Sequence, residues 1–235
     1  MATFVLVHGS WQGGWCWKRV VFLLRRAGHE VFAPTLTGLG ERAHLMSDAV
    51  DLDTHIADIL GVLHCEELND VILCGHSYGG MVISGVADKV CEKIRALVYL
   101  DAVVPEDGAC LMDYLGKDEV KRFREGARQQ GEGVRLAPLT AKDLKVNAGD
   151  CDWVDRQCVA HPIRSFEQRL KLTGAWGTVP KRVYVYAAGY APSVFTPFYE
   201  RLARDPQWET VSMPCAHEMM IDMPERLAEI LLEVA

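Results

Sequence analysis

The stretch 71–80 limits the fold of this chain more than any other, and it reads Val-Ile-Leu-Cys-Gly-His-Ser-Tyr-Gly-Gly. An apolar, β-prone run ends at Gly75, Ser77 follows two residues later, and Gly79 and Gly80 open a helical pattern. A strand, a sharp turn and a helix are the setting in which Gly-x-Ser-x-Gly presents a serine hydroxyl at the carboxyl end of a sheet. The pattern therefore predicts that Ser77 is a nucleophile, against the alternative of a Gly/Ser-rich turn without chemistry.

Apolar strand-like runs alternate with helical patterns along most of the chain. Buried strands joined by helices are typical of α/β domains, so we predict about six strands in a mostly parallel sheet with helices on both faces. The predicted strands are 3–8, 30–33, 71–75, 96–100, 182–187 and 208–213, and the predicted helices are 15–27, 53–63, 79–90, 197–203 and 224–234.

The composition changes after Pro105. Between residues 106 and 179 the chain is charged and helical in character, and we expect no strand there. We predict that 106–179 is a helical lid inserted into a core formed by residues 1–105 and 180–235. Ligands of open α/β sheets bind at the carboxyl edge of the strands, and the lid is expected to cover that edge.

Charge and hydropathy patterning disfavour several classes of function. The 235 residues carry a net charge of −7 without a block of Lys or Arg, which argues against nucleic acid and membrane surfaces as partners. No apolar run reaches the roughly 18 residues of a membrane span, and no signal-peptide pattern opens the chain. The eight scattered cysteines show no zinc spacing and fit reduced thiols. We expect a cytoplasmic protein without metal or cofactor, and whether it forms a homodimer stays open.

A serine nucleophile needs a base and donors for the oxyanion. His217 lies in the loop after the last predicted strand, where the base is expected when the chain order is serine, acid, histidine. The backbone N–H groups of Tyr78, directly after the serine, and of Ser10, after the first strand, are the predicted oxyanion donors. Gly9 would let the Ser10 backbone approach closely, although the glycines of that loop could also serve only a tight turn.

Three motifs together resemble a small branch of the α/β-hydrolases that includes plant hydroxynitrile lyases, salicylate-type plant methyl esterases and bacterial carboxylesterases. They are His8-Gly9-Ser10-Trp11 through Trp15, the turn at 75–80, and Cys215-Ala-His217. The resemblance covers nearly the whole chain and implies the α/β-hydrolase fold with a Ser–His–acid triad. It implies a serine carboxylesterase that acts through an acyl-enzyme. No arginine is placed to bind a phosphate or carboxylate, so we expect small, neutral, partly hydrophobic esters as substrates. A lyase-like enzyme and a ligand-sensing protein with little turnover remain the alternatives.

Two positions depart from the lyases of this branch. Those enzymes typically have threonine after the strand-end histidine and lysine after the catalytic histidine, where this chain has Gly9 and Glu218. A negative charge at Glu218 would repel cyanide, so we expect no lyase chemistry.

The triad acid is a third departure. In this branch it usually follows the penultimate strand, but the stretch 187–195 reads Ala-Ala-Gly-Tyr-Ala-Pro-Ser-Val-Phe and contains no carboxylate. Asp101 ends a neighbouring predicted strand at the same edge of the sheet, and we predict that it is the acid. The alternatives are a turn or capping role for Asp101, with Glu106 or Asp107 as the acid.

The substrate pocket is expected to combine the loop after the first strand with the lid. We predict that Gly9 and Trp11 contribute from that loop and Phe123 and Trp153 from the lid, because apolar and aromatic side chains line most small-molecule sites. Which ester binds there does not follow from the sequence.

Overall fold

A six-stranded parallel sheet organises the chain, of which the computed structural model describes all residues, 1–235. Its strands are β1 Thr3–Val7, β2 Glu30–Phe32, β3 Val71–His76, β4 Ile94–Leu100, β7 Lys181–Ala187 and β8 Glu209–Met213. They lie in the order β2-β1-β3-β4-β7-β8, and each neighbouring pair is parallel. The predicted sheet is confirmed, and every pair in it proves to be parallel.

Helices cover both faces of the sheet. They are α1 Lys18–Arg26, α2 Leu52–Cys65, α3 Gly79–Val90, α4 Lys117–Gln130, α5 Cys151–Gln157, α6 Arg164–Glu167, α7 Thr196–Leu202, α8 Met219–Asp222 and α9 Pro224–Val234. The helices α2, α3 and α7 pack on one face, and α1, α8 and α9 pack on the other. None of the helices combines the length and the apolar character needed to span a membrane.

Strand β3 is apolar from Val71 to Gly75 because both of its faces are buried. Val71 and Leu73 point into the core beneath α2 and α3, whereas Ile72 and Cys74 point into the core beneath α1 and α9. A strand covered by helices on both sides has no solvent face and so lacks the alternation of a half-exposed strand. The carboxyl end of this central strand therefore lies in the interior, where it leads into the turn at Ser77.

The segment 106–179, called the insertion below, joins β4 to β7. It contains α4, α5 and α6, and also two strands, β5 Arg135–Leu136 and β6 His161–Pro162, which pair antiparallel. The prediction that this segment has no strand is wrong. Strands of two residues are too short to produce an alternating pattern in the sequence, and only their pairing across 24 intervening residues defines them.

The glycines of the β3–α3 turn are tested by one substitution and a matched control. A Cβ at Gly75 would lie 2.6 Å from the carbonyl oxygen of Gly79, so Gly75→Ala must displace backbone. We expect it to lower the free energy of unfolding by at least about 2 kcal/mol in urea titrations. Gly61→Ala in α2 meets no atom within 4 Å and should raise it by about 0.5–1 kcal/mol. Equal stability of Gly75→Ala and wild type would contradict this account of the turn.

Candidate active site

Ser77 occupies the turn between β3 and α3 in a left-handed backbone conformation. Its φ is +55°, a value that non-glycine residues rarely adopt and that neighbouring structure must stabilise. The Ser77 N–H donates to the carbonyl of Leu100 at 3.2 Å, and the Ser77 carbonyl accepts from the N–H of Val103 at 3.2 Å. A Cβ at Gly79 would lie 2.8 Å from the Val7 carbonyl oxygen, so α3 can approach β1 only with glycine there. Strained backbone of this kind concentrates at functional sites.

Asp101 and His217 form a buried hydrogen-bonded pair next to this turn. Nδ1 of His217 lies 2.7 Å from Oδ2 of Asp101. His217 is 4% exposed and Asp101 is 0% exposed. Asp101 directly follows β4 with φ +41°, and its backbone N–H donates to the Val185 carbonyl at 2.7 Å. Because a carboxylate only accepts, Nδ1 of His217 carries the hydrogen and Nε2 is the free base. Nε2 makes no hydrogen bond to another protein group, and His217 and Ser77 line the same cavity.

The other carboxylates considered for the acid position lie elsewhere. Glu106 is exposed and pairs with Arg201 at 3.3 Å, and Asp107 accepts a hydrogen bond from the Leu172 N–H at 2.8 Å. Of the three candidates from the sequence, only Asp101 reaches the ring of His217.

Burial controls the electrostatics of the Asp101–His217 pair. It raises the pKa of the Asp101 carboxyl above its ordinary value and lowers the pKa of the His217 imidazole, because both charged forms lose water. The Ala187 N–H, which donates to Oδ1 of Asp101 at 3.3 Å, opposes the shift of the carboxyl. His217 is accordingly neutral in the resting site, which is the form that can accept a proton from a serine.

Two aromatic rings from the loop 188–195 stack on His217. The ring centroid of Phe195 lies 4.8 Å from that of the imidazole with an angle of 10° between the planes, and Tyr190 stacks at 5.1 Å and 27°. This is the loop that contains no carboxylate, so it holds the histidine ring by stacking instead of by hydrogen bonding. Searching the loop for acids alone misses this role, although both aromatic residues are visible in the sequence.

The two predicted oxyanion donors are free to bind a ligand. Neither the Ser10 N–H nor the Tyr78 N–H donates a hydrogen bond within the protein. Tyr78 caps the start of α3, where N–H groups have no partner in the helix, and Ser10 lines the cavity beside Ser77. A Cβ at Gly9 would lie 2.7 Å from Nδ1 of His76 and 3.0 Å from Cβ of Ser77, so glycine is needed for this close approach.

A cavity of about 390 Å³ opens in front of Ser77 and His217. Most of its lining side chains are apolar and come from the insertion and from the loop 190–195. Trp11 and Phe123 line this cavity, whereas Gly9 does not. Trp153 is a correction, because its ring packs edge-on against Trp15 at 5.2 Å in a separate surface cleft. The sequence places Trp153 in the insertion, but it does not show which side of the insertion faces the cavity beside Ser77.

Glu218 also differs from its expected role. It is 2% exposed, does not line the cavity, and accepts a hydrogen bond from Nε2 of Gln12 at 2.5 Å. Burial without a neighbouring cation raises the pKa of Glu218 to about 7. Glu218 thus lies behind the cavity wall, with its carboxyl group within 4.8 Å of a ring nitrogen of His217.

One group of side chains could in principle ligate a metal ion. Ligating atoms of His76, His217 and Glu218 lie within 4.8 Å of one another. Each of these side chains already makes a hydrogen bond: His217 with Asp101, Nε2 of His76 with the carbonyl of His217, and Glu218 with Gln12. The group is thus part of the network that holds His217.

Comparisons with known proteins agree with this geometry. Residues 4–230 match the profile of the alpha/beta hydrolase family. A carbendazim hydrolyzing esterase of Nocardioides sp. (strain SG-4G) is 48% identical to the chain over 97% of its length and 98% of the relative's. The chain belongs to the α/β-hydrolase family. A pyrethroid hydrolase of Sphingobium wenxiniae is 28% identical over 100% of this chain and 88% of the relative. The solved structure of an extracellular α/β-hydrolase from a Paenibacillus species superposes with a TM-score of 0.89 at 22% identity, covering 100% and 99% of the two chains.

These similarities confirm the predicted fold and the resemblance drawn from the three motifs. They also confirm the class of enzyme: the α/β-hydrolase described here is a carboxylic ester hydrolase.

The assignment of Asp101 as the acid predicts the effect of one isosteric change. Asp101→Asn should fold normally but lower kcat by roughly 10²–10⁴, because an amide cannot hold the Nδ1–H tautomer of His217 or stabilise its imidazolium. Glu106→Gln, a change in an alternative acid, should leave kcat unchanged. Steady-state kinetics with p-nitrophenyl butyrate measure both. A near-normal kcat for Asp101→Asn, or a comparable loss in Glu106→Gln, would reject Asp101.

Glu218 should make the stability of the protein depend on pH. Its folded-state pKa of about 7 lies above the ordinary 4.5, so the folded protein keeps a proton that the unfolded chain releases. The resulting stability is fully present below about pH 4.5 and is lost as pH rises through about 7. Between pH 5 and pH 8, the free energy of unfolding should fall by up to about 3 kcal/mol more in wild type than in Glu218→Gln.

Buried His8 and His55, whose pKa values are lowered to about 4, change the free energy of unfolding with pH in the opposite direction. Their contribution is the same in wild type and in Glu218→Gln, so it cancels when the two proteins are compared. Glu66→Gln, at an exposed position, should retain the wild-type pH dependence. Parallel curves for Glu218→Gln and wild type would show that Glu218 is ionised in the folded protein.

Proposed function

We propose that Ser77, His217 and Asp101 form a catalytic triad that hydrolyses small, neutral, partly hydrophobic esters through an acyl-enzyme. The observation that carries the proposal is the 2.7 Å hydrogen bond between Asp101 and Nδ1 of His217, which leaves Nε2 free towards the cavity that Ser77 also lines. A base fixed in this tautomer, beside a serine on a strained turn, is the arrangement that activates a hydroxyl for acyl transfer.

The reaction takes place in two halves. Nε2 of His217 removes the proton of the Ser77 hydroxyl as Oγ attacks the ester carbonyl, and the N–H groups of Ser10 and Tyr78 stabilise the oxyanion. The imidazolium then returns the proton to the departing alcohol, leaving an acyl group on Ser77. Water, deprotonated by the same nitrogen, attacks the acyl-enzyme and releases the acid.

The cavity supports neutral rather than anionic substrates. Its charged side chains are Glu119, Asp143 and Lys145, so carboxylates outnumber cations and an acid group on the substrate would be repelled. Aromatic side chains also line the cavity, namely those of Trp11, Tyr114, Phe123, Phe166, Tyr190 and Phe195. A flat aromatic group on either side of the ester bond fits this composition.

The relatives extend the proposal to a substrate class. The chain is 48% identical to an esterase named for hydrolysing carbendazim, which is a methyl carbamate of an aromatic amine, and 28% identical to a pyrethroid hydrolase. We propose that aromatic carbamate esters of this type enter the cavity as well as simple carboxylic esters. Their carbonyl undergoes the same attack by Ser77.

The nucleophile is tested by labelling and by substitution. A fluorophosphonate should inactivate the enzyme and appear on the Ser77 peptide in mass spectrometry. Ser77→Ala should lower kcat by roughly 10³–10⁶ with p-nitrophenyl acetate, p-nitrophenyl butyrate and carbendazim, while the Tm stays within a few degrees of wild type. The loss is expected because no other hydroxyl replaces the attacking oxygen.

Ser212→Ala, at an exposed position on β8, is the control and should retain full activity. Complete inactivation with the label on another serine would reject Ser77 as the nucleophile. Absence of steady turnover by wild type on all three substrates would instead favour the ligand-sensing alternative.

A further inference from the structure

Trp11, the residue after the oxyanion donor Ser10, has an unusual backbone conformation. Its φ is +65°, a left-handed value that is a genuine outlier for a bulky side chain. Such a conformation persists only where surrounding contacts determine it. Trp11 is 7% exposed and lines the cavity, so the conformation is set inside the site.

The contacts that hold Trp11 come from the insertion. The Val159 N–H donates to the Trp11 carbonyl at 2.9 Å, the Trp11 N–H donates to Nδ1 of His161 at 3.3 Å, and the indole Nε1–H donates to the Leu136 carbonyl at 3.2 Å. His161 and Leu136 are partners in the small sheet formed by β5 and β6. The insertion thus binds both polar groups of the Trp11 backbone and its ring.

The hydrogen bonds around His161 define its tautomer. Nδ1 accepts from Trp11, so the ring hydrogen is on Nε2, which donates to Oγ of Ser165 at 2.8 Å. The Ser165 hydroxyl in turn donates to the Pro162 carbonyl at 2.8 Å. Both ring nitrogens of His161 and the hydroxyl of Ser165 therefore have partners, and His161 and Ser165 are both fully buried. Burial also keeps the pKa of His161 well below its ordinary value, so Nδ1 remains an acceptor.

We propose that His161 is a positioning residue for ester hydrolysis: it fixes the Trp11 backbone and thereby aims the Ser10 N–H at the oxyanion. This proposal rests on the proposed function, since it concerns the same reaction. In this arrangement the insertion completes the oxyanion site in addition to forming the cavity wall. A donor displaced by a fraction of an ångström loses most of its effect, because oxyanion stabilisation depends on preorganised geometry.

The first test removes the acceptor while keeping the aromatic packing. His161 lies among Trp11, Phe166 and Tyr78, and phenylalanine fills the same ring-shaped space. His161→Phe should lower kcat for p-nitrophenyl butyrate about 10- to 100-fold while changing KM less than about threefold. Tyr99→Phe removes a buried 2.8 Å hydrogen bond to Ser84 of α3, and neither residue lines the cavity, so this matched control should retain wild-type kcat.

Two further variants separate positioning from general loss of packing. The amide oxygen of His161→Asn can occupy the place of Nδ1 and accept from Trp11, whereas the longer His161→Gln reaches the place of Nε2. We expect His161→Asn to keep at least about tenfold more kcat than His161→Gln. This comparison also decides the question if His161→Phe does not fold.

An inhibitor pair reports on the oxyanion site itself. An aryl trifluoromethyl ketone forms a hemiketal with Ser77 and places its oxygen on the Ser10 and Tyr78 N–H groups, while the corresponding trifluoromethyl carbinol cannot. In His161→Phe the inhibition constant of the ketone should rise by the same factor as kcat/KM falls, and that of the carbinol should not change.

The proposal is overturned if His161→Phe retains the wild-type kcat, or if Tyr99→Phe lowers kcat as much as His161→Phe does. It is also overturned if His161→Asn and His161→Gln have equal kcat, or if the inhibition constants of the ketone and the carbinol rise by the same factor. Inactivity of wild type, or full activity of Ser77→Ala, would instead reject the proposed function on which this inference rests.

Discussion

The left-handed turn at Ser77 is the constraint on which the site depends. It requires β1, β3, β4 and α3 to meet at one point, which leaves no room for side chains at the flanking glycines. A Cβ at Gly80 would lie 2.1 Å from the Val103 carbonyl oxygen, and one at Gly79 would lie 2.8 Å from that of Val7. Because the backbones approach so closely, the residues that follow β1 and β4 surround the serine, and these include Ser10 and Asp101.

The position of Asp101, which we propose as the acid, shows that either of two neighbouring strands can supply a carboxylate to His217. β4 and β7 are neighbours, and the backbone of Asp101 donates to Val185 on β7, so the ends of both strands lie within reach of His217. With the carboxylate after β4, the loop after β7 is free to contact the histidine in another way. A Cβ at Gly189 would lie 2.7 Å from the Cys215 carbonyl oxygen, so this loop packs tightly against the segment that leads to His217. The stacked rings of Tyr190 and Phe195 then restrict rotation of the imidazole.

Much of this arrangement could be predicted from local sequence, and the remainder depends on contacts between distant residues. Helix α3 and strand β3 were predicted almost to their observed ends because buried apolar runs and turn glycines are local signals. The helix predicted at 15–27 begins instead as a 3₁₀ turn at Gly14–Trp17, since its first residues continue the tight turn after β1. Asp101 could be proposed because the carboxyl ends of parallel strands lie at the same edge of the sheet.

The contact of His161 with Trp11 spans 150 residues, and no spacing or composition in the sequence indicates it. The outward orientation of Trp153 likewise depends on how α5 packs, which periodicity over seven residues does not determine.

The electrostatics of the site explain why so many polar groups are buried around one serine. Burial lowers the pKa values of His55, His161 and His217 and raises that of Glu218, so each of these groups favours its neutral form. A resting site with little charge costs less to bury than one with fixed ions. In the proposed reaction, attack on an ester creates charge at two places, the oxyanion and the imidazolium. The first develops beside the unpartnered N–H groups of Ser10 and Tyr78, and the second develops 2.7 Å from Asp101. In a poorly hydrated interior these fixed dipoles and this carboxyl act more strongly than water would, and they need no reorganisation when the charge appears. The same desolvation that keeps the resting groups neutral therefore favours the transition state over the bound substrate.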